Sequence, residues 1–505
     1  KFLYLSPERL QQELVRSYLK AMSINLIVID EAHCVSHWGK DFRPAYLQCK
    51  WLKEEFPNVP LLALTASATH QVQQDILHHL GIENATIIST SLARPNIAYK
   101  VYKVSDKWHE LLQLLRKTEG SAIVYLRSRN GCIQLAELLE NHGISAAYFH
   151  GGLPAEEKNQ KLSMWLLNDV RVMVATNAFG MGIDKSEVRL VIHFDCPDSL
   201  EAYFQEAGRA GRDGKQAYAV LLYNEKDKET LSKRIADTFP EKKIIRQIYE
   251  HLAYFYQVGL GSGAGHTFTF DIDKFCHTFK HFPIQTASAL KILEHAGYIN
   301  YETDPNTDAR LIFLLNRDEL YRLKYTTPHE ELVITTLLRN YGGLFTDYVY
   351  INEETIARQI NITHQQVYLI LKGLSQRKIL HFIPQRKSPY ISYLQDREET
   401  NKIKISRDIY EIRKEQYAQR IKAMIHYAQN NKQCRSKQLL DYFGESKTKK
   451  CGLCDVCLAS NKNKIEKQQT ATAKTKLIAF LNDGASHPII ELNQLNIPEK
   501  YLHPA

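Results

Sequence analysis

The chain has 505 residues, with 65 Lys and Arg against 56 Asp and Glu, giving a net charge of +9. Hydrophobic residues make up 44% and charged residues 24%, which excludes a disordered or low-complexity chain and leaves room for about three or four globular domains. No apolar run is long enough to span a bilayer and no signal-peptide pattern is present, so a cytoplasmic protein is expected (nucleoid-associated if bacterial), with no membrane partner.

The chain opens at Lys1 on the strand-like Phe2-Leu3-Tyr4-Leu5 and closes on "IPEKYLHPA"; both ends read as cut. Up to residue 225, short apolar runs alternate with helical stretches: Leu26–Ile29, Leu61–Leu64, Ala122–Leu126, Ala146–Phe149, Val172–Ala175, Leu190–Phe194 and Ala217–Leu222. Strands alternating with helices predict α/β parallel sheets. "SLARPNIAYKV", from Ser91, reads as the link between two such units, 1–93 and 94–225.

Residues 226–258 are charged and predict a helical linker. Two helix-turn-helix patterns ending in strands follow, predicting winged-helix-like units at 259–327 and 328–400. Residues 401–458 read as a helical module around a cysteine cluster, 459–475 ("ASNKNKIEKQQTATAKT") as a polar linker, and 476–505 as the start of a further helical domain. Five of the nine cysteines are scattered, but Cys451, Cys454 and Cys457 form C-x2-C-x2-C, with Cys434 sixteen intervening residues upstream. Four thiolates so spaced suit tetrahedral Zn²⁺, with an iron–sulfur cluster as the alternative. The surrounding residues 431–467 hold nine Lys/Arg against four Asp/Glu, a local basic excess.

Asp30 and Glu31 follow the apolar run Leu26–Ile29. Carboxylates at a strand end can divide nucleotide hydrolysis, one holding Mg²⁺ and the other orienting water. Thr65, Ser67 and Thr69 close the next strand; Thr176, Gly180, Gly182 and Asp184 follow a later one; Arg209 and Arg212 sit among glycines in "QEAGRAGRDG". An arginine pair so placed can neutralise phosphoryl charge.

Asp30-Glu31-Ala32-His33, "TASAT" (65–69) and "QEAGRAGRDG" (205–214) resemble superfamily 2 helicase motifs. "YLSPERL" (4–10) and the aromatic-rich "SHWGKDFRPAY" after the acids resemble the RecQ DNA helicases, and "CRSKQLLDYFGESKTKKCGLCDVC" resembles their zinc module. The resemblance implies two RecA-like lobes, the first incomplete, with ATP between them, then the winged-helix-like units and the zinc module. It implies catalytic roles for Glu31, Arg209 and Arg212, with Arg212 the principal finger. Nucleotide and Mg²⁺ contacts would come from Asp30, His33, Asp184 and Gln205. DNA contact or coupling would come from Trp38, Phe42, Arg43, Ser67, Thr69 and Thr176; aromatic faces stack on any base.

The implied function is an ATP-dependent, 3'-5' DNA helicase of repair and recombination, acting on single-stranded and duplex DNA. An RNA helicase, or a non-catalytic DNA-binding module, is the alternative. Three departures stand out. Lys40 occupies a place where the family has His. No G-x-x-x-x-G-K-[ST] occurs, so a phosphate-binding loop is expected before Lys1 and these residues alone should hydrolyse ATP poorly. The winged-helix-like units also precede the zinc cysteines, which reverses the commonest family order. If the second unit opens duplexes, its ribbon "HFIPQRKSPYISY" offers Arg386, Lys387 and Tyr390.

Overall fold

A computed structural model describes residues 1–36, 43–66, 68–180, 183–302, 309–322, 327–346, 348–384, 389–446, 448–483 and 497. They form two compact units, one from residues 1–87 and 232–419 and the other from 88–231 and 420–505.

The first segment runs α1 (Glu13–Lys20), β1 (Ile27–Ile29), α2 (Lys50–Glu55), β2 (Leu61–Ala63) and α3 (His70–Leu80). β1 and β2 pair in parallel, Ile27 opposite Leu61. Ile27 and Ile29 pack with Ala32, Val72, Ile76 and Leu80, while Val28 faces outward. Thr69 caps α3, its Oγ1 accepting from the Val72 amide, and Gly81 ends the helix in a left-handed conformation.

The second lobe alternates strictly: β3 (Ile97–Lys103), α4 (Lys107–Lys117), β4 (Ser121–Tyr125), α5 (Arg129–Asn141), β5 (Ala146–Phe149), α6 (Ala155–Leu166), β6 (Val172–Ala175), β7 (Val188–His193), α7 (Leu200–Ala207) and β8 (Ala217–Tyr223). All six strands are parallel, in the order β3-β8-β7-β4-β6-β5. Every residue of β4 and β6 is buried, which is why these strands read as unbroken apolar runs.

α8 (Glu225–Thr238) and α9 (Lys242–Phe255) occupy the expected linker. α9 is part of a domain, because Ile245, Ile248, Tyr249 and Leu252 are fully buried in a core shared with Phe275, Leu290 and Ile391. β9 (Thr267–Thr269), α10 (Ile272–Phe279), α11 (Pro283–His295) and β10 (Ile299–Glu302) complete its contiguous part. Then come β11 (Arg310–Phe313), α12 (Arg317–Tyr321), α13 (Pro328–Asn340), β12 (Val349–Tyr350), α14 (Glu353–Ile360), α15 (His364–Gln376), β13 (Leu380–Ile383) and β14 (Tyr390–Tyr393).

These two winged helices are copies of one pattern. Asp271 caps α10 as Asn352, 81 positions later, caps α14. Left-handed Lys280 and Gly297 have left-handed counterparts Asn361 and Lys378 at the same 81-residue offset. The amide of Tyr301 bonds Glu294 Oε1, and that of Phe382 bonds Ser375 Oγ, again 81 positions on. Identities are few (Gln285/Gln366, Leu290/Leu371, Lys291/Lys372, Leu293/Leu374), but the backbone geometry repeats.

The third strands are exchanged. β10 pairs with β14, not with the next strand in sequence, and β13 pairs with β11, giving sheets β10-β14-β9 and β12-β11-β13. The expected domain boundaries at 259–327 and 328–400 therefore cut across both domains: the second copy lies within 309–383, between β10 and β14 of the first. The expected ribbon "HFIPQRKSPYISY" is not a hairpin, because β13 and β14 belong to different sheets. Arg386 and Lys387 lie outside the described residues. Tyr390 is buried, its phenol accepting from Arg310, which does not suit a strand-separating tip.

α16 (Arg413–Gln429), α17 (Arg435–Tyr442) and α18 (Asp455–Phe480) complete the chain's helices among the described residues. Residues 459–475, expected as a linker, lie within α18. No helix among the described residues is long and apolar enough to cross a membrane.

Candidate functional site

Three clusters carry the chemistry. The first follows β1. Leu64 N–H bonds the Ile29 carbonyl and Ala32 N–H bonds the Leu64 carbonyl, so the acid pair leaves the strand pinned to its neighbour. Glu31 is left-handed at φ 49°, a conformation that costs a non-glycine residue about 1 kcal/mol or more. Its amide donates to Asp30 Oδ1 at 2.8 Å. Buried His33 holds Nδ1 3.2 Å from Glu31 Oε2 and 3.1 Å from Thr65 Oγ1, joining the acids to the "TASAT" segment. The arrangement leaves Asp30 exposed and aims Glu31 at the histidine. Arg43 donates its amide to the Cys34 carbonyl. Thr69 is a helix cap, and Trp38, Phe42, Lys40 and Ser67 lie outside the described residues.

The second cluster is the loop after α7. Arg209 is buried and donates Nη1 to the Gly180 carbonyl at 2.6 Å. Arg212 is more accessible, donating Nη1 to the Ile183 carbonyl at 2.8 Å and to Asp184 at 3.0 Å; the Asp184 side chain is 89% exposed. The structure thus joins Arg212 to Asp184, while Arg209 bonds a different partner, the Gly180 carbonyl. Gln205 is half-buried on α7, and Thr176 is buried at the end of β6.

Sequence reasoning missed the braces of this loop. Arg94 donates to the carbonyls of Gly208, Ala210 and Gly211, and Asn96 Nδ2 to those of Gly211 and Lys215. Gly211 has φ 57°, and a Cβ there would meet Asn96 Nδ2 at 2.6 Å, so only glycine fits. The segment "ARPN", read as a link, does this bracing. His193 Nε2 lies 2.9 Å from Glu206, both buried under the same loop. The only sequence signal was polar residues in buried strands and helices.

The third cluster is the cysteines. One sulfur from each of Cys434, Cys451, Cys454 and Cys457 lies within 4.8 Å of the others. The amides of Cys451, Arg435 and Cys457 point at sulfurs: Cys451 N to Cys434 Sγ at 3.3 Å, Arg435 N and Cys457 N to Cys454 Sγ at 3.4 Å. Such amides stabilise thiolates. Four converging, mostly buried sulfurs fit Zn²⁺. Fully buried Arg435, also unforeseen, donates Nε and Nη2 to Asp455, Nη1 to the Tyr427 and Asn430 carbonyls, and Nη2 to Asn431 Oδ1.

Family models match along the chain: DEAD/DEAH box helicase over residues 1–76, helicase conserved C-terminal domain over 106–214, RecQ helicase winged-helix domain (Bacteroidota) over 311–384, and RecQ zinc-binding over 394–458. "ATP-dependent DNA helicase RecQ" of Pasteurella multocida is 43% identical over 46% of this chain and 37% of its own length. The Haemophilus influenzae protein of the same name is 43% identical over 50% of this chain and 40% of its own. "Probable ATP-dependent DNA helicase RecS" of Bacillus subtilis is 43% identical over 44% and 46% respectively. The chain therefore spans less than half the length of these relatives. Two helicase-core matches in order, followed by a winged-helix domain and a four-cysteine site that both match RecQ-specific models, place this chain in the RecQ helicase family.

Proposed function

We propose that the full-length protein is an ATP-dependent DNA helicase that moves 3'-5' on single strands and opens duplexes in DNA repair and recombination, in the cytoplasm. The observation that carries this reading is the coexistence, on one chain, of the pinned acid pair, the arginine loop and the RecQ-type winged-helix and zinc modules. Mg²⁺, held through Asp30, would neutralise phosphate charge when bound with ATP. Glu31 is suited to orienting water because His33 already fixes its carboxylate. Arg212 is suited to the γ-phosphate because its present partner, Asp184, is exposed and exchangeable. Arg209 would then shape the loop through the Gly180 carbonyl. Asp184 and Gln205 would line the nucleotide; Trp38, Phe42, Arg43, Ser67, Thr69 and Thr176 would report DNA occupancy to it.

The test is ATP turnover by the full-length protein with single-stranded DNA, RNA or neither. DNA-specific stimulation supports the proposal. RNA-specific stimulation would make it an RNA helicase, and no turnover would leave a DNA-binding module. Trp38→Ala or Phe42→Ala should abolish the stimulation while leaving zinc content unchanged.

A further inference from the structure

We infer that the zinc module is the clamp that positions the arginine loop, acting through helix α7, and that Tyr427 and Tyr442 are positioning residues for ATP hydrolysis. This rests on the reading of Arg212 as a finger.

α7 runs directly into the arginine loop: its last residue is Ala207 and Arg209 follows two positions later. Three contacts tie it to the zinc module. Tyr442 donates its hydroxyl to Glu201 Oε1 at 2.8 Å. The rings of Tyr203 and Tyr427 meet at 5.3 Å, and those of Phe204 and Phe443 at 5.0 Å. Glu201 and both members of the tyrosine pair are buried, so these contacts are desolvated and worth more than surface ones.

Each contact leads back to a cysteine, through helix α17 or through Arg435. α17 starts at Cys434, its N-cap, and ends at Tyr442, with Phe443 as its C-cap. A rotation of Cys434 on metal loss swings both aromatics. Tyr427 is tied to the cysteines by Arg435, which bonds the Tyr427 carbonyl and, with its Nε and Nη2, Asp455, the residue after Cys454. Glu445 fixes the far end, accepting from Ser91 Oγ at 2.8 Å and from the Leu92 amide at 2.6 Å, just before the Arg94 brace of the same loop. The loop is thus gripped from α7 on one side and from residues 91–96 on the other. Both grips depend on the segment that the four sulfurs organise.

A coupled element needs two arrangements that differ in free energy, and loss of a buried contact set supplies that difference. The test uses amide hydrogen exchange on this chain, with and without zinc, and needs no ATP turnover. Zinc removal by chelation should lower protection across 200–214 about tenfold or more while β4 and β6 keep theirs. Tyr442→Phe, which removes one hydroxyl and keeps the ring, should do the same locally with zinc retained. Unchanged protection at 200–214 after zinc loss, with 434–457 exchanging freely, would overturn the clamp. In the full-length protein, Arg212→Ala tests the finger reading separately. If it lowers kcat, Tyr442→Phe should lower kcat at constant zinc content and add nothing in the Arg212→Ala background. Additive losses would overturn the coupling; normal turnover in Arg212→Ala would instead remove the finger.

Discussion

Arg310 Nη2 donates to the Tyr390 hydroxyl at 2.6 Å, and these two residues open the two exchanged strands, β11 and β14. Equivalent positions of the two winged-helix copies therefore meet where the chain crosses between sheets. Arg310 also lies over the Tyr348 ring, 5.7 Å from its centroid. One guanidinium ties the crossing to both sheets.

The exchange is readable by cross-linking. Asn300 faces Ser392 in the observed register, whereas an ordinary local wing would place it against Ile312. All three positions are partly accessible. The Asn300→Cys/Ser392→Cys protein should form a disulfide under mild oxidation, and Asn300→Cys/Ile312→Cys should not. Peptide mapping under non-reducing conditions decides between them.

The two arginines should fail differently. Arg212→Ala in the full-length protein should cut kcat by roughly 10³-fold or more while leaving thermal stability near its original value. Arg209→Ala removes a buried donor and strands the Gly180 carbonyl, so it should cost about 1–3 kcal/mol of stability. Denaturation midpoints beside turnover numbers separate the two outcomes.

Cys451→Ala should release the metal. Three remaining thiols cannot close the tetrahedron, so bound zinc, measured by metal analysis, should fall from one per chain toward zero. The helix α17, anchored at Cys434, should then become protease-sensitive.

The first winged helix should weaken in acid. His251 Nδ1 lies 2.7 Å from His281 Nε2, and burial lowers both pKa values from their ordinary 6.5. The unfolded chain takes up protons that the folded pair refuses, so stability is present above about pH 6.5 and lost as pH falls below it. Amide exchange in α9 and α10 should accelerate between pH 7 and 5.5 after correction for the intrinsic rate. His281→Ile, which copies Ile362 at the equivalent place in the second copy, should reduce the response and leave the part due to His295, whose pKa burial lowers to about 4.

Much of this was legible in the chain itself. Val172–Ala175 and Ala217–Leu222 announced buried parallel strands because such strands are apolar on both faces. The cysteine spacing announced a metal knot. Strand partnership was hidden for a physical reason: Leu311 and Phe313 alternate inward just as Ile391 and Tyr393 do, so either strand satisfies either sheet. The polar segment 459–475 reads as a linker because it lacks apolar periodicity, yet Ala, Lys, Gln and Glu are strong helix formers and it lies within α18. Arg94 and Arg435 were missed because each acts on backbone carbonyls brought close only by folding.

The crossing of strands also sets a timetable on the ribosome. The second winged helix draws its whole sheet from residues 310–383 and can close as soon as that segment emerges. The first must hold β9 and β10 unjoined until β14, which begins 88 positions after β10 ends at Glu302, has been made. At ordinary translation speed that wait is roughly 4–18 s. Throughout it the nascent chain carries an open strand edge, and the later-made domain is finished before the earlier one.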